Sequence, residues 1–376
     1  MYVSRMACGY RLLVFLVMLI EFVISTKLQL AAAIGQVPQV PCYFVFGDSL
    51  VDNGNNNLLI TQGKANYKPY GIDFANGIPT GRFTNRRNLA DFIAELVGFE
   101  NPVSPFATAI GQNIIKGVNY GSGGAGIRDE SGNNLGDHIS FNRQLLNHQI
   151  TISRINLLLG NPNLAKDYVS KCLYTVTIGS NDYINNYLMP QFYPTSSQYN
   201  PQQFAHVLSK QYFLQLKTLY KLGARKVAIF GLTRLGCILE ELSTHKPNIS
   251  GCVDFINDAV GLFNDELKII VDDLNTNFTD AKFTFINSTN ILLTTATPLA
   301  LAGVKVLNAP CCEVSTSSKG QCIPGGTTCT NRTEFAFWDN IHPTDIVYNA
   351  ISAVAYNAVS PLDSYPFDIH TLLVNL

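Results

Sequence analysis

The chain has 376 residues, 26 basic against 27 acidic side chains, and 47% hydrophobic residues. A balance this close to zero offers no basic face for nucleic acid. With only 14% charged residues the chain also lacks the composition of a disordered one, and its length permits two domains or a single large α/β fold.

The N-terminus reads as a secretory signal. Arg5 and Arg11 precede an apolar run from Leu12 to Ile20, Glu21 interrupts it, and Ala31, Ala32 and Ala33 offer a cleavage site. The run is shorter than the roughly 20 apolar residues of a spanning helix, although an uncleaved anchor is the rival reading. The expected division is therefore a signal peptide over residues 1–33 and one domain over 34–376. Export agrees with four Asn-X-Ser/Thr sequons, at Asn248, Asn277, Asn287 and Asn331. It agrees too with nine cysteines, which become eight when Cys8 leaves with the signal.

Tyr43 to Phe46 is a short aromatic and β-branched run suited to a buried strand, and it stops at Gly47-Asp48-Ser49 before an Asn-rich loop. Ser49 then stands at the carboxyl end of a strand, where open α/β sheets place their ligands. It is a nucleophile only if a base comes from elsewhere; otherwise this is a capping turn. Residues 69–87 read as a long ordered loop. Asn88 caps a helix through Leu89, Phe92, Ile93 and Leu96 that ends at Gly98. Gly117 to Tyr120 is a second short strand, followed by the Gly-rich turn 121–126. That turn lacks the Lys and the spacing of a phosphate loop, and its N–H groups are free to approach a ligand.

Residues 138–160 carry helical periodicity, with His138 and His148 expected to face solvent. Leu173 to Ile178 is a strand ending in Gly179-Ser180-Asn181-Asp182. Pro201 opens a helix to about Leu222, Lys226 to Phe230 is a strand, residues 252–275 a helix, and Ala281 to Ile286 a strand. A Gly/Ser/Thr-rich stretch holding Cys311, Cys312, Cys322 and Cys329 reads as a stapled loop. Zinc is the rival there, weakened by the absence of a Cys-X-X-Cys pair. Cys237 and Cys252 are suited to close a further loop. The last helix runs from about Pro343 to Ala358. Strands alternating with helices predict a parallel sheet covered on both faces.

Three strand ends then carry polar turns at one sheet edge: Ser49, the 121–126 loop and Asn181. Near the C-terminus, Asp339 and His342 stand three residues apart. Each has an unremarkable use, Asn181 in a turn, Asp339 as a helix cap and His342 as an exposed loop residue. Together they are the parts of a nucleophile, a base and its orienting carboxylate, with an amide and backbone N–H donors for an oxyanion.

The blocks Phe46-Gly47-Asp48-Ser49-Leu50, Pro79-Thr80-Gly81-Arg82-Phe83, Asn119-Tyr120-Gly121-Ser122-Gly123-Gly124, Ile178-Gly179-Ser180-Asn181-Asp182 and Trp338-Asp339-Asn340-Ile341-His342-Pro343 resemble, in order, those of the plant GDSL esterase/lipase family within the SGNH hydrolases. Gly121 stands where many relatives have Ala, and Asn340-Ile341 replaces a small residue followed by Phe. The resemblance implies a flavodoxin-like three-layer α/β/α fold with a central, mainly parallel five-stranded sheet. It also implies a carboxylic ester hydrolase that needs no metal or cofactor and takes a small-molecule or polymeric ester; the signal makes it secreted, with the extracellular space as the expected location and a vacuolar destination using the same signal. Carried over by position, Ser49 is the nucleophile, His342 the base and Asp339 its orienter. The N–H groups of Ser49 and Gly124 and the side chain of Asn181 form the oxyanion hole, with Gly123 adjacent to the assigned glycine. An acyltransferase would use the same residues. A glycan- or lipid-binding module and a metal phosphoesterase built on Asp48, Asp52 and His342 are the competing classes.

Overall fold

A computed structural model describes residues 37–245, 247, 251–315 and 319–374. The proposed signal, Cys8 and the Asn248 sequon lie outside them.

Four short strands are parallel and side by side: β1 (Tyr43–Gly47), β2 (Leu173–Thr177), β3 (Lys226–Phe230) and β4 (Lys282–Ile286). β1 and β2 are buried throughout and the other two along all but their first residue, as expected of strands covered on both faces. Their register aligns Gly47 with Thr177, Thr177 with Phe230, and Phe230 with Ile286. All four carboxyl ends therefore finish at one edge of the sheet.

The Gly117–Tyr120 strand is reduced to a bridge. Asn119 pairs in parallel with Val45, through Val45 N–H to Val118 O at 3.1 Å and Tyr120 N–H to Val45 O at 2.7 Å. Gly117, with φ 112°, packs onto Tyr43, whose carbonyl oxygen would lie 1.9 Å from an added Cβ, and the residues before it, Gly111–Lys116, form a 3-10 helix. It lies outside β1, and the spatial order 118–120, β1, β2, β3, β4 is the flavodoxin-like one. A two-residue antiparallel strand, Ser364–Tyr365, closes the sheet beyond β4 and has no counterpart among the expected strands.

On one face lie α2 (Phe141–Leu159), α4 (Pro201–Lys221) and α6 (Asp254–Asn277), burying Phe141, Leu145, Phe204, Leu208, Val260 and Phe263 against Phe44, Phe46 and Val176. On the other face lie α1 (Leu89–Leu96), α7 (Ser288–Leu301), α8 (Asp345–Tyr356) and α9 (Ile369–Val374). Here α3 is Pro162–Ser170 and α5 Leu239–Thr244. Asn88 and Asn200 start α1 and α4 with reciprocal capping boxes to Asp91 and Gln203.

Both helix histidines depart from expectation. His138 precedes α2 and is buried, and His148 is fully buried on the sheet-facing side of α2. Its ring lies 4.7 Å from Phe44 and 5.4 Å from Phe46, and its Nδ1 is 3.0 Å from Tyr120 Oη. Burial pushes it down to about 3, so it is a neutral member of the core.

Disulfides join Cys42–Cys172, Cys237–Cys252, Cys311–Cys329 and Cys312–Cys322. The stapled C-terminal segment is thus present, but it is not a bare loop: Val306–Pro310 and Phe335–Phe337 pair as a small parallel sheet. Asn277 and Asn331 are exposed. Asn287 is half-buried and its side chain caps α7 while donating to Leu362 O.

Candidate active site

β1 ends where the chain must pass close to β2. A Cβ on Gly47 would lie 2.3 Å from Thr177 O, so only glycine fits. Gln144 of α2 holds this turn from below: its Oε1 accepts from Gly47 N–H at 2.9 Å and its Nε2 donates to Gly47 O at 2.7 Å. Sequence reasoning misses this residue, although a glutamine within the apolar stripe of a helix is an available sign of such a role.

The Asn-rich loop that follows is buried, and its side chains substitute for backbone pairing. Asp52 accepts from the N–H groups of Gly54, Asn55 and Gly123 at 2.7–2.9 Å. Asn55 donates to Asn119 O and Gly121 O, and Asn56 to Gly63 O and Gly123 O. Asn53 reaches Asn88, whose capping partner Asp91 takes a bidentate pair from Arg82 at 2.6 and 2.8 Å. The first, second and Pro79–Phe83 blocks are therefore one polar network in which each of these buried groups has a partner, which offsets part of the desolvation penalty of burying it.

From this platform Ser49 meets the C-terminal segment. Ser49 Oγ is 2.8 Å from His342 Nε2, and His342 Nδ1 lies 2.8 and 3.0 Å from the two Asp339 oxygens. Asp339 Oδ1 accepts from the N–H groups of Ile341 and His342 at 2.8 and 2.7 Å, and Oδ2 accepts from Tyr70 Oη at 2.6 Å. Asp339 is fully buried and His342 is 3% exposed. Burial and the Asp339 charge hold the Tyr70 hydroxyl well above its ordinary value, so it stays a donor. Tyr70 Oη accepts in turn from Cys322 N–H at 3.1 Å. Cys311 and Cys312 donate their N–H groups to Trp338 O, and Trp338 N–H donates to His342 O. The Phe83 ring lies 4.8 Å from that of His342. No periodicity in the chain points to Tyr70 or Phe83.

Among the described residues, the N–H groups of Ser49 and Gly124 make no hydrogen bond. Gly123 differs, since its N–H is spent on Asp52 and its position admits no Cβ, which would lie 2.6 Å from Phe83 Cζ. Asn181 uses one hydrogen of Nδ2 on Ala125 O at 3.0 Å, and its Oδ1 accepts from Asn185. Ser49, Gly124, Asn181 and His342 all line one cavity. A serine hydroxyl on an imidazole backed by a carboxylate, facing unspent N–H donors, is able to exchange a proton and stabilise an oxyanion. Asp48 and Asp52 are not drawn to His342 as ligands, and no group of three His, Cys, Asp or Glu side chains suited to a metal occurs among the described residues.

Asp48 has a different part. It is 1% exposed, Oδ1 accepts from Leu50 N–H at 3.0 Å, and Oδ2 has no partner among the described residues. Burial pushes its carboxyl up to about 7 from an ordinary 3.8, against the Leu50 N–H and the charge of His342. Between about pH 4 and 7 the folded state thus keeps a proton that the unfolded chain has lost. More protons on the folded state mean that stability falls as pH rises, by up to about 1.4 kcal/mol per pH unit. Asp52 and Asp182, each raised by burial to about 6, act with the same sign. Asp48→Asn is expected to flatten this decline, read by urea unfolding at pH 4.5 and 7. An unaltered difference between the two would refute a protonated Asp48.

A family model described as GDSL-like Lipase/Acylhydrolase matches residues 43–354. Two GDSL esterase/lipases of Arabidopsis thaliana are 48% and 47% identical to the chain, each alignment covering 89% of it and 92% of the relative. Among solved structures, a phospholipase A1 from Streptomyces albidoflavus aligns with TM-score 0.36 at 14% identity, over 83% of this chain and 98% of that one. An extracellular lipase from Streptomyces rimosus aligns with TM-score 0.33 at 14% identity, over 84% and 100%.

Proposed function

Because the chain belongs to the GDSL-like lipase/acylhydrolase family and is a carboxylic ester hydrolase, we propose that Ser49, His342 and Asp339 are its catalytic residues and that it works by two-step acyl transfer. The observation that carries this reading is the 2.8 Å contact of Ser49 Oγ with His342 Nε2. Nε2 takes the hydroxyl proton as Oγ attacks the ester carbonyl. The negative oxygen of the tetrahedral intermediate receives hydrogen bonds from Ser49 N–H, Gly124 N–H and the remaining Asn181 Nδ2–H. The alcohol departs with the proton from Nε2, and water repeats the sequence on the acyl-enzyme, releasing the acid and restoring Ser49. Asp339 holds the imidazole with its proton on Nδ1, so that Nε2 is free to accept.

Asn181→Ala tests the oxyanion assignment. It is expected to lower kcat on p-nitrophenyl butyrate by roughly 10²–10³, by analogy with other oxyanion donors, with a much smaller change in KM. A variant that stays folded and keeps near-full kcat would remove Asn181 from the hole.

We further infer export to the extracellular space. Four disulfides suit an oxidising compartment, and no helix among the described residues is long and apolar enough to cross a membrane. Among the described residues, the exposed Asn277 and Asn331 are the expected glycan carriers. A glycan on Asn287 would require its side chain to leave the α7 cap.

A further inference from the structure

Two cavities meet at Ser49, and they differ in chemistry. The first, about 320 Å³, sets Glu240, His245 and Lys319 beside the apolar Phe83, Leu188 and Met189. The second, about 340 Å³, runs between the carboxyl edge of the sheet and the helices of the opposite layer. Its walls include Leu232 after β3, Leu292 and Leu299 of α7, Val304, and Val347 and Ile351 of α8. Asp48, Arg234 and Tyr348 are the only ionisable side chains among its described lining residues. Ser49, Asn181, Ile184 and Ile341 border both cavities, whereas Gly124 and His342 border only the first.

That asymmetry orients an ester. When the tetrahedral intermediate collapses, the departing oxygen must take its proton from His342 Nε2, so the alcohol half lies on the side His342 borders. The acyl half is left to the other side. We propose, resting on the serine esterase reading, that the second, more uniformly apolar cavity is an acyl-binding site for unbranched medium- to long-chain fatty acyl groups, and that the first cavity, with its charged side chains, receives a hydroxyl-bearing alcohol. The outer rim fits such a chain as well. Leu307, on the cavity wall, is 63% exposed, so a fatty chain meets apolar surface as it enters.

The test uses p-nitrophenyl acetate, butyrate, octanoate and laurate with the folded, disulfide-bonded protein. kcat/KM is expected to rise along the series by up to about fourfold per methylene while the chain remains inside the cavity. Ala296 borders the cavity yet is solvent-exposed on α7, so Ala296→Trp narrows it without overfilling the core. The laurate-to-acetate ratio of kcat/KM is expected to fall about tenfold or more in that variant. A fold defect would lower both esters and leave the ratio alone. A ratio unchanged by Ala296→Trp, or a preference for acetate in the parent protein, overturns the proposal.

A second readout is independent of catalysis. Laurate is expected to displace a dansyl-labelled fatty acid from Ser49→Ala, and about tenfold more weakly once Ala296→Trp is added. Equal displacement in the two overturns the acyl site. Displacement sensitive to Ala296→Trp in a protein that hydrolyses no ester would keep the acyl site and retire the hydrolytic reading instead.

Discussion

Ser49→Ala is expected to lower kcat on p-nitrophenyl butyrate by on the order of 10⁶, leaving only what the oxyanion donors and binding supply. The magnitude follows from geometry. Ser49 Oγ is the hydroxyl bonded to His342 Nε2, and it stands at the junction of both cavities. Removing it leaves the imidazole nothing to deprotonate and the carbonyl no covalent partner. On the proposed mechanism Ser49, His342 and Asp339 act as a unit, so His342→Ala is expected to cost about as much as Ser49→Ala, and the double variant little more than either. The lost hydroxyl is small and borders open space, so unfolding by urea should change little. Steady-state rates of the three variants against the parent decide the matter. A residual rate of a few per cent in Ser49→Ala would displace it as nucleophile.

Asp339→Asn is expected to lower kcat by about 10⁴ while KM moves far less. Asp339 accepts four hydrogen bonds, from Tyr70 Oη, two backbone N–H groups and His342 Nδ1. An amide retains one accepting oxygen, and the two backbone N–H groups compete to keep it at the Oδ1 position. The amide nitrogen then falls at Oδ2, facing Tyr70 and Nδ1. There it donates to Nδ1, which forces the imidazole proton onto Nε2, where it faces Ser49 and blocks proton removal. Substrate binding depends on neither nitrogen, hence the separation of kcat from KM. A loss below about tenfold would mean that the carboxylate serves the loop rather than the chemistry.

Elements with a strong local signal are legible in the amino-acid sequence. The Lys226–Phe230 strand has the expected bounds, and the helix begun by Asn88 has the expected cap. Ser49, Asn181, Asp339 and His342 stand out because each follows or precedes a recognisable apolar run. The departures have physical causes. His148 falls in phase with Phe141, Leu145 and Ile155, so periodicity points it inward while its polar side chain argues for solvent, and in the fold the phase prevails. Gly117–Tyr120 has strand composition, yet the 3-10 helix Gly111–Lys116 runs directly into it and it pairs with β1 only through a bridge. Tyr70 lies 269 residues from Asp339 in a loop without periodicity, and the walls of the apolar cavity come from several separate elements. Contacts of that kind exist only after the chain has closed on itself.

The link from Cys322 through Tyr70 to Asp339 ties two kinds of chemistry together. The N–H that orients the tyrosine belongs to a cysteine held by the Cys312–Cys322 bridge, and the partner cysteine's own N–H steadies Trp338, next to the acid. The pairing of two sulfur atoms therefore braces the carboxylate that stands beside the imidazole. Without that bridge the covalent closure behind both groups is gone, and hydrogen bonds alone hold the tyrosine against the carboxylate.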